Sequence, residues 1–375
     1  MDHPTIRTVE WASLTAVRPR VAGCNARLGI HGDRIPLPLA RVTDSLGAQG
    51  FGWARVTPEA ARALVGRSVA EGFSRESGAA GPWACIEFPL WDLAGVRAGV
   101  PVYGLLGGEG SGPLAVPVYD TSLYFDDLPL TDHGAAAELL AEEARQGLAR
   151  GHRHFKVKVG RGARHLPVEA GMARDVAVVR AVRSAAGPAG AIMADANDGF
   201  TLNLAKRFLA ETAEARLHWI EEPFHEDPVL LEDLQGWMRA EGLATVVADG
   251  EGLAAPPLMD WARRGLVQVL QYDVLQPGFS RWLAVGREAD AAGVRSAPHH
   301  YGALYGNFAS GHLAAAIRGF AFVEWDHAEC PALDASAYLL RDGRLHIPAR
   351  PGFGLALDEG AFGAAVRREG FVVGA

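Results

Sequence analysis

Of the 36 basic residues in this 375-residue chain, three are lysine: Lys156, Lys158 and Lys206. Two of them stand one residue apart in His154-Phe155-Lys156-Val157-Lys158-Val159-Gly160, a segment that otherwise reads as a buried strand. Arginine serves for solubility and ion pairing, but it keeps its proton in proteins and cannot act as a base. An amine kept where arginine is used almost everywhere else points to proton transfer. Strand side chains at i and i+2 share one face, about 7 Å apart. Two inward-facing lysines would repel by ~2.4 kcal/mol at an effective dielectric of about 20, lowering the pKa of one amine by up to ~2.

Acids recur in a matching pattern. Ala191-Ile-Met-Ala-Asp195-Ala-Asn197, Trp219-Ile-Glu221-Glu222-Pro223 and Val247-Ala-Asp249-Gly-Glu251 are successive apolar runs that end in carboxylates. One acidic strand end is ordinarily a helix cap, but three at one level repel unless a cation joins them. Oxygen donors without a Cys/His spacing favour Mg²⁺, with Mn²⁺ as the alternative. Further on, Gln271-Tyr-Asp273 and Ala297-Pro-His299-His300-Tyr301 place an acid beside an imidazole. Asp273 would orient His299 and raise its pKa, while His300 points outward. Val323-Glu324-Trp325 adds another acid at the same rim.

A divalent metal, a depressed lysine and an Asp-supported histidine suit removal of the proton next to a carboxylate, where Mg²⁺ offsets the developing negative charge. Lys158 and His299 would approach the α-carbon from different sides. Lys156 would contact the carboxylate and help keep Lys158 neutral. A protonated Glu324 would donate a hydrogen bond to the same group.

The elements that must position these groups can be read from periodicity. Residues 5–56 alternate apolar and polar in runs broken by Gly and Pro, and 58–108 look helical, which together make a compact α+β unit. Apolar runs then begin near Val116, Phe155, Ala191, His218, Val246, Val267, Val294 and Phe320, separated by helical stretches. Eight alternating units with long crossovers predict a closed parallel barrel of the TIM type, whose sites lie at the C-terminal strand ends. The expected division is a capping domain at 1–114, a barrel at 115–329 and a tail at 330–375 that returns to the cap.

Bulk properties narrow the classes of function. A formal net charge of -8 argues against nucleic acid as a partner, and no long apolar run suggests a membrane span or export signal. Cys24, Cys85 and Cys330 lack metal or redox spacing and read as free thiols in a cytoplasmic protein, expected to be a homo-oligomer.

Taken in order, these motifs resemble the enolase superfamily in its mandelate racemase-like branch. The likeness extends to Leu90-Trp-Asp-Leu-Ala-Gly, to Val102-Tyr-Gly-Leu-Leu-Gly-Gly108 and to Pro351-Gly-Phe-Gly-Leu. The resemblance implies a modified (β/α)₇β barrel with an α+β cap, Asp195, Glu221 and Glu251 as metal ligands, and Lys158 and His299 as the acid/base pair. Asp249 is the alternative ligand if the strand register slips. Gln271-Tyr-Asp273, the following Pro277-Gly-Phe-Ser and His300-Tyr301 depart from the common pattern. The absence of a lysine on the sixth strand disfavours the muconate-lactonising and dipeptide-epimerising branches.

The leading reading is dehydration of a sugar acid to a 2-keto-3-deoxy acid. Racemisation or epimerisation of a 2-hydroxy acid is the alternative, and a non-catalytic barrel a remote one. Asn197 is a candidate substrate contact. In the capping loop, Arg27 and His31 are candidates to meet a distal carboxylate, which would hint at a diacid.

Overall fold

The computed structural model describes residues 4–107, 113–276 and 278–374. Gly108 and Pro277, which figure in the segments quoted above, lie outside them. Eight parallel strands run at Leu114–Leu123, His154–Lys158, Ile192–Asp195, Trp219–Glu221, Val246–Asp249, Val269–Leu270, Arg295–Ser296 and Val323–Trp325. Strands one to seven pair in order, Ser296 bridges Phe320, and strand eight returns to strand one with Glu324 opposite Tyr119. The ring is closed. Helices His133–Ala149, Val168–Ala186, Leu202–Glu211, Pro228–Ala240, Leu258–Arg263 and Phe279–Ala292 follow strands one to six. Several of them start at a side chain that accepts the orphan amides of the first turn, namely Asp132, Thr201 and Asp227. After strand seven the chain makes only a short helix, Tyr305–Ala309, extended by a 3₁₀ segment.

Tyr119, Met193, Trp219, Ala248, Val269, Ala297 and Phe322 fill the barrel floor as one buried cluster. Parity then fixes what comes above it, because side chains alternate along a strand. Lys156 pairs with Met193, Lys158 with Asp195, and Asp195 with Glu221, so the polar groups point inward directly over that floor.

The cap is a four-stranded antiparallel sheet ordered Phe371–Gly374, Ile6–Ala22, Gly32–Asp44 and Gln49–Trp53, with helix Glu87–Ala98 against its inner face. Its first two strands are longer than the broken alternation predicts. Pro36 and Pro38 fall beyond the pairing with Gln49–Trp53, where the outer edge needs no N–H donor. A register shift between Val17 and Ala22 absorbs Pro19. A small hairpin at Phe73–Ser74 and Gly78–Ala79 has no counterpart in the sequence expectation. The tail serves both units: a hairpin, Leu339–Arg341 and Arg344–Ile347, adds antiparallel to barrel strand one, and helix Glu359–Glu369 leads into the last cap strand.

His312 ties cap, barrel and tail together. Its Nδ1 accepts from the Tyr103 amide at 3.0 Å and its Nε2 faces the Tyr338 hydroxyl at 2.9 Å, which donates to the Phe353 carbonyl. Burial pushes the His312 imidazole down to about 3. A histidine whose folded pKa is depressed stays neutral while the unfolded chain takes up a proton, so stability is lost as pH falls through about 6.5 towards 3. Glutamine can accept from Tyr103 and donate to Tyr338 without titrating. Urea midpoints measured from pH 7 to 4 are therefore expected to fall less steeply in His312→Gln than in the wild type. Equal slopes would show that this imidazole does not couple to folding.

Candidate active site

Lys156 and Lys158 are the last two inward-facing positions of strand two, which places them at the barrel mouth. The strand end is clamped from outside: buried Arg161 donates to the Lys158 carbonyl at 3.1 Å while paired with Asp127 and Asp175. Asp175 also accepts from the amides of Gly160 and Arg161.

Asp195, Glu221 and Glu251 each offer an oxygen, and these lie within 4.8 Å of one another. Asp195 and Glu221 are neighbours in the ladder. Glu251 stands past the end of its strand, and Gly250, at φ 126°, makes the turn that returns it to the cluster. Asp249 points to the outer face, its Oδ1 accepting from the Gly250 amide, so it does not join the set and the register has not slipped. Glu221 is held by the Trp219 indole at 3.0 Å and the Gln271 amide at 2.8 Å. Asn197 donates to Glu222 at 3.0 Å and Glu251 at 3.3 Å, leaving its own buried Oδ1 without a partner. Asn197, Asp198 and Glu222 all have positive φ (42°, 61° and 39°), strain that collects around this cluster.

The charges respond to the crowding. Burial first, and then Asp195 and Glu251, push Glu221 up to about 8. Burial opposes ionisation of Asp195, yet Lys158 and Lys156 hold it down at about 2. Lys156 touches Glu221 at 2.6 Å, Glu324 at 3.1 Å and Asp195 at 3.4 Å, and Lys158 pairs with Asp195. The expected depression of a lysine is not found. Burial does lower both amines, but the surrounding carboxylates outweigh it together with the lysine–lysine repulsion, and both are raised. An all-oxygen set that confines so much negative charge, with Glu251 Oε2 lacking a hydrogen bond, fits a hard divalent cation. When bound, such an ion would stabilise negative charge on a substrate carboxylate.

His299 faces Asp273 across adjacent strand ends, Nδ1 to Oδ1 at 2.5 Å. Its Nε2 stands 3.2 Å from Glu251 and 3.8 Å from Glu324. Burial lowers its pKa, but Glu251, Glu324 and Asp273 together lift it to about 10. Glu324 is a carboxylate and not a donor. It accepts from Thr121 at 2.9 Å and from the amides of His300 and Tyr301 at 2.8 and 3.0 Å, and Lys156 and His299 outweigh burial to hold it well below the usual range. His300 is buried and turned to Asn307, not outward.

Above these groups lies a cavity of about 360 Å³ between barrel and capping loop. Lys158, His299 and Glu251 form its floor, and Arg18, His31, Tyr124 and Tyr301 form its far wall. Arg27 is absent from that lining; its guanidinium pairs with Asp198 at 2.6 Å on the surface. Tyr301 and Tyr124 stack at 4.8 Å, His31 stands edge-on to both, and Arg18 lies over Tyr301. Tyr124 escaped the sequence reading because an aromatic at a strand end is ordinarily core.

The enolase C-terminal domain-like family matches residues 139–361, more than half of the chain. The chain belongs to the enolase superfamily. Its place is the mandelate racemase-like branch, and the fold is that branch's capped (β/α)₇β barrel. It is 30% identical over 280 residues to a 3,6-anhydro-alpha-L-galactonate cycloisomerase of Streptomyces coelicolor, covering 73% of this chain and 69% of that one. It is 26% identical over 288 residues to an arabinonate dehydratase of Saccharolobus solfataricus, covering 74% and 70%. Among solved structures, a galacturonate dehydratase of Geobacillus sp. superimposes with a TM-score of 0.96 at 46% identity, covering 100% of both chains. A mutant of that enzyme in complex with Mg gives 0.97 at 46%, covering 99% of this chain and 97% of that one. The cofactor of this enolase-superfamily member is Mg²⁺. Among the described residues no helix is long and apolar enough to cross a membrane.

Calorimetric titration with Mg²⁺ is expected to show binding abolished in Asp195→Asn and Glu251→Gln. Gln271→Leu, which releases one oxygen of Glu221, should weaken it by about 10–100-fold. Full affinity in Glu251→Gln would remove that residue from the ligand set.

Proposed function

We propose that this acid-sugar dehydratase acts on a hexuronic acid, a monoacid, with Asp195, Glu221 and Glu251 holding Mg²⁺ and Lys158 and His299 moving the protons. The reaction class is that of the Mg²⁺-dependent acid-sugar dehydratases to which the chain is related. One observation carries the narrower substrate: the far wall of the cavity is polar but has no buried cation left to meet a second carboxylate, the remaining guanidinium, Arg34, standing at the exposed rim. Arg18 is spent on Asp326, with contacts at 2.7 and 3.0 Å. Burial, then Lys158 and Arg18, push the His31 imidazole down to about 4, so it is neutral at physiological pH. His31 Nε2 and the Tyr301 hydroxyl are buried without partners, which suits the hydroxyls or ring oxygen of a sugar. This reading replaces the diacid suggested by the basic capping loop. The Geobacillus galacturonate dehydratase was crystallised with D-galacturonate and 5-keto-4-deoxy-D-galacturonate, which supports the same class.

The groups on the floor can divide the chemistry. The surrounding carboxylates hold Lys158 and His299 protonated. With an ion on Asp195, Glu221 and Glu251 that field would be relieved, so that one of the two gives up its proton and then removes the proton from the carbon next to the substrate carboxylate, while Lys156, seated on the acids, helps to hold that carboxylate. A protonated His299, kept in orientation by Asp273, is placed to give its proton to the departing β-hydroxyl. The C–H and C–O bonds break, water leaves, and the resulting enol becomes a ketone.

Purified protein with Mg²⁺ is expected to convert D-galacturonate or a related hexuronate to a keto-deoxy acid. Lys158→Ala and His299→Asn should each lower kcat by ~10³. Turnover of diacids alone would reject the monoacid assignment. Solvent deuterium entering the α-position without loss of water would favour epimerisation instead.

A further inference from the structure

A second cluster of metal-binding residues lies outside the barrel, behind strand one and unconnected with the reaction. Asp120 belongs to that strand but has the opposite parity to Tyr119, so it faces outward beneath helix His133–Ala149, close against Gly147. His152 precedes strand two, and His327 follows strand eight. One ligand atom from each of the three lies within 4.8 Å of the others. The cluster therefore sits at the seam where the barrel closes.

The second observation is His152 itself. Its side chain is fully buried, and neither ring nitrogen has a hydrogen-bond partner. An unsatisfied buried polar atom costs about 1–3 kcal/mol, so an imidazole with two of them calls for an explanation. His327 Nε2 and Asp120 Oδ2 share a hydrogen bond at 3.1 Å, a contact that an ion would replace, and the two imidazoles meet at 85° with centroids 5.0 Å apart. Donors about 2.1 Å from one tetrahedral ion would be separated by about 3.4 Å, close to that first distance. The other Asp120 oxygen accepts from the Ser122 amide at 2.9 Å, which fixes the carboxylate in place.

His327 also lines an open cleft of about 750 Å³ with Trp325, Cys330 and Tyr338, which provides a path in.

We propose that Asp120, His152 and His327 bind a transition-metal cation of the Zn²⁺ class, distinct from the Mg²⁺ of the active site, and that this ion staples strand one to the approach of strand two and the exit of strand eight. Two imidazoles and a carboxylate prefer a borderline ion, whereas the three carboxylates of the barrel mouth prefer a hard one. The role is structural, because the cluster does not open into the substrate cavity.

The test uses the full chain, stripped of metal and returned to excess Mg²⁺, then titrated with Zn²⁺ and, for its visible spectrum, Co²⁺. One equivalent of Zn²⁺ is expected to bind despite the Mg²⁺ and to raise Tm. His152→Gln and His327→Gln should each weaken that binding by at least about 100-fold, while Glu251→Gln retains it. His327 lies nearer the surface than His152, so its variant carries the test if His152→Gln does not fold. The proposal fails if no Zn²⁺ binds in the presence of Mg²⁺, if both histidine variants bind it like the wild type, or if Glu251→Gln alone removes it.

Discussion

Three carboxylates confined in one buried space are the constraint on which the rest of the molecule turns. At about 4 Å and an effective dielectric near 20, each pair of full charges would repel by about 4 kcal/mol. Such a cluster exists only where positive charge and hydrogen-bond donors converge on it. That accounts for two of the three lysines, for the Trp219 and Gln271 contacts to Glu221, and for Asn197 in a strained backbone geometry. The same demand explains why Lys158 is clamped from behind through Arg161, Asp127 and Asp175. A strand end that wandered would leave an acid buried and uncompensated.

Labour is divided between rigid and adjustable parts. The groups proposed to exchange protons or hold the ion come from barrel strand ends, whose positions are set by the ladder and by the aromatic floor beneath. The far wall of the cavity comes from the capping loop, from Tyr124 and from Tyr301. The two halves are joined by Arg18, which reaches 308 positions along the chain to Asp326 and lies over Tyr301 on the way. Recognition can therefore vary in the loop without disturbing the chemistry below.

What could be read from the sequence was whatever depended on strand parity. Lys156, Lys158, Asp195 and Glu221 occupy alternate positions on strands that must be buried, so their direction followed from the pattern alone. Glu251 was less secure, because its place depends on the turn at Gly250. Errors arose where the partner came from elsewhere in the fold. The repulsion between the two lysines is visible in the pattern, but the carboxylates that outweigh it for Lys158, and the donors that keep Glu324 ionised, come from other strands. The charge of Arg27 is taken up by Asp198, a partner 171 positions away that the local sequence does not reveal. Cross-domain links such as His312 with Tyr103 and Tyr338 join residues with no shared periodicity, and left no trace in the pattern.

The pairing of Phe371–Gly374 with Thr8–Trp11 has a kinetic consequence. The capping sheet takes its neighbouring strands from opposite ends of the described chain, with the whole barrel between them. During synthesis on a ribosome, the early strands must wait, one edge unpaired, until the final segment emerges. High contact order of this kind slows folding and exposes an edge to mispairing. Maturation of the cap, more than closure of the barrel, should then be the step at which newly made molecules need chaperone protection.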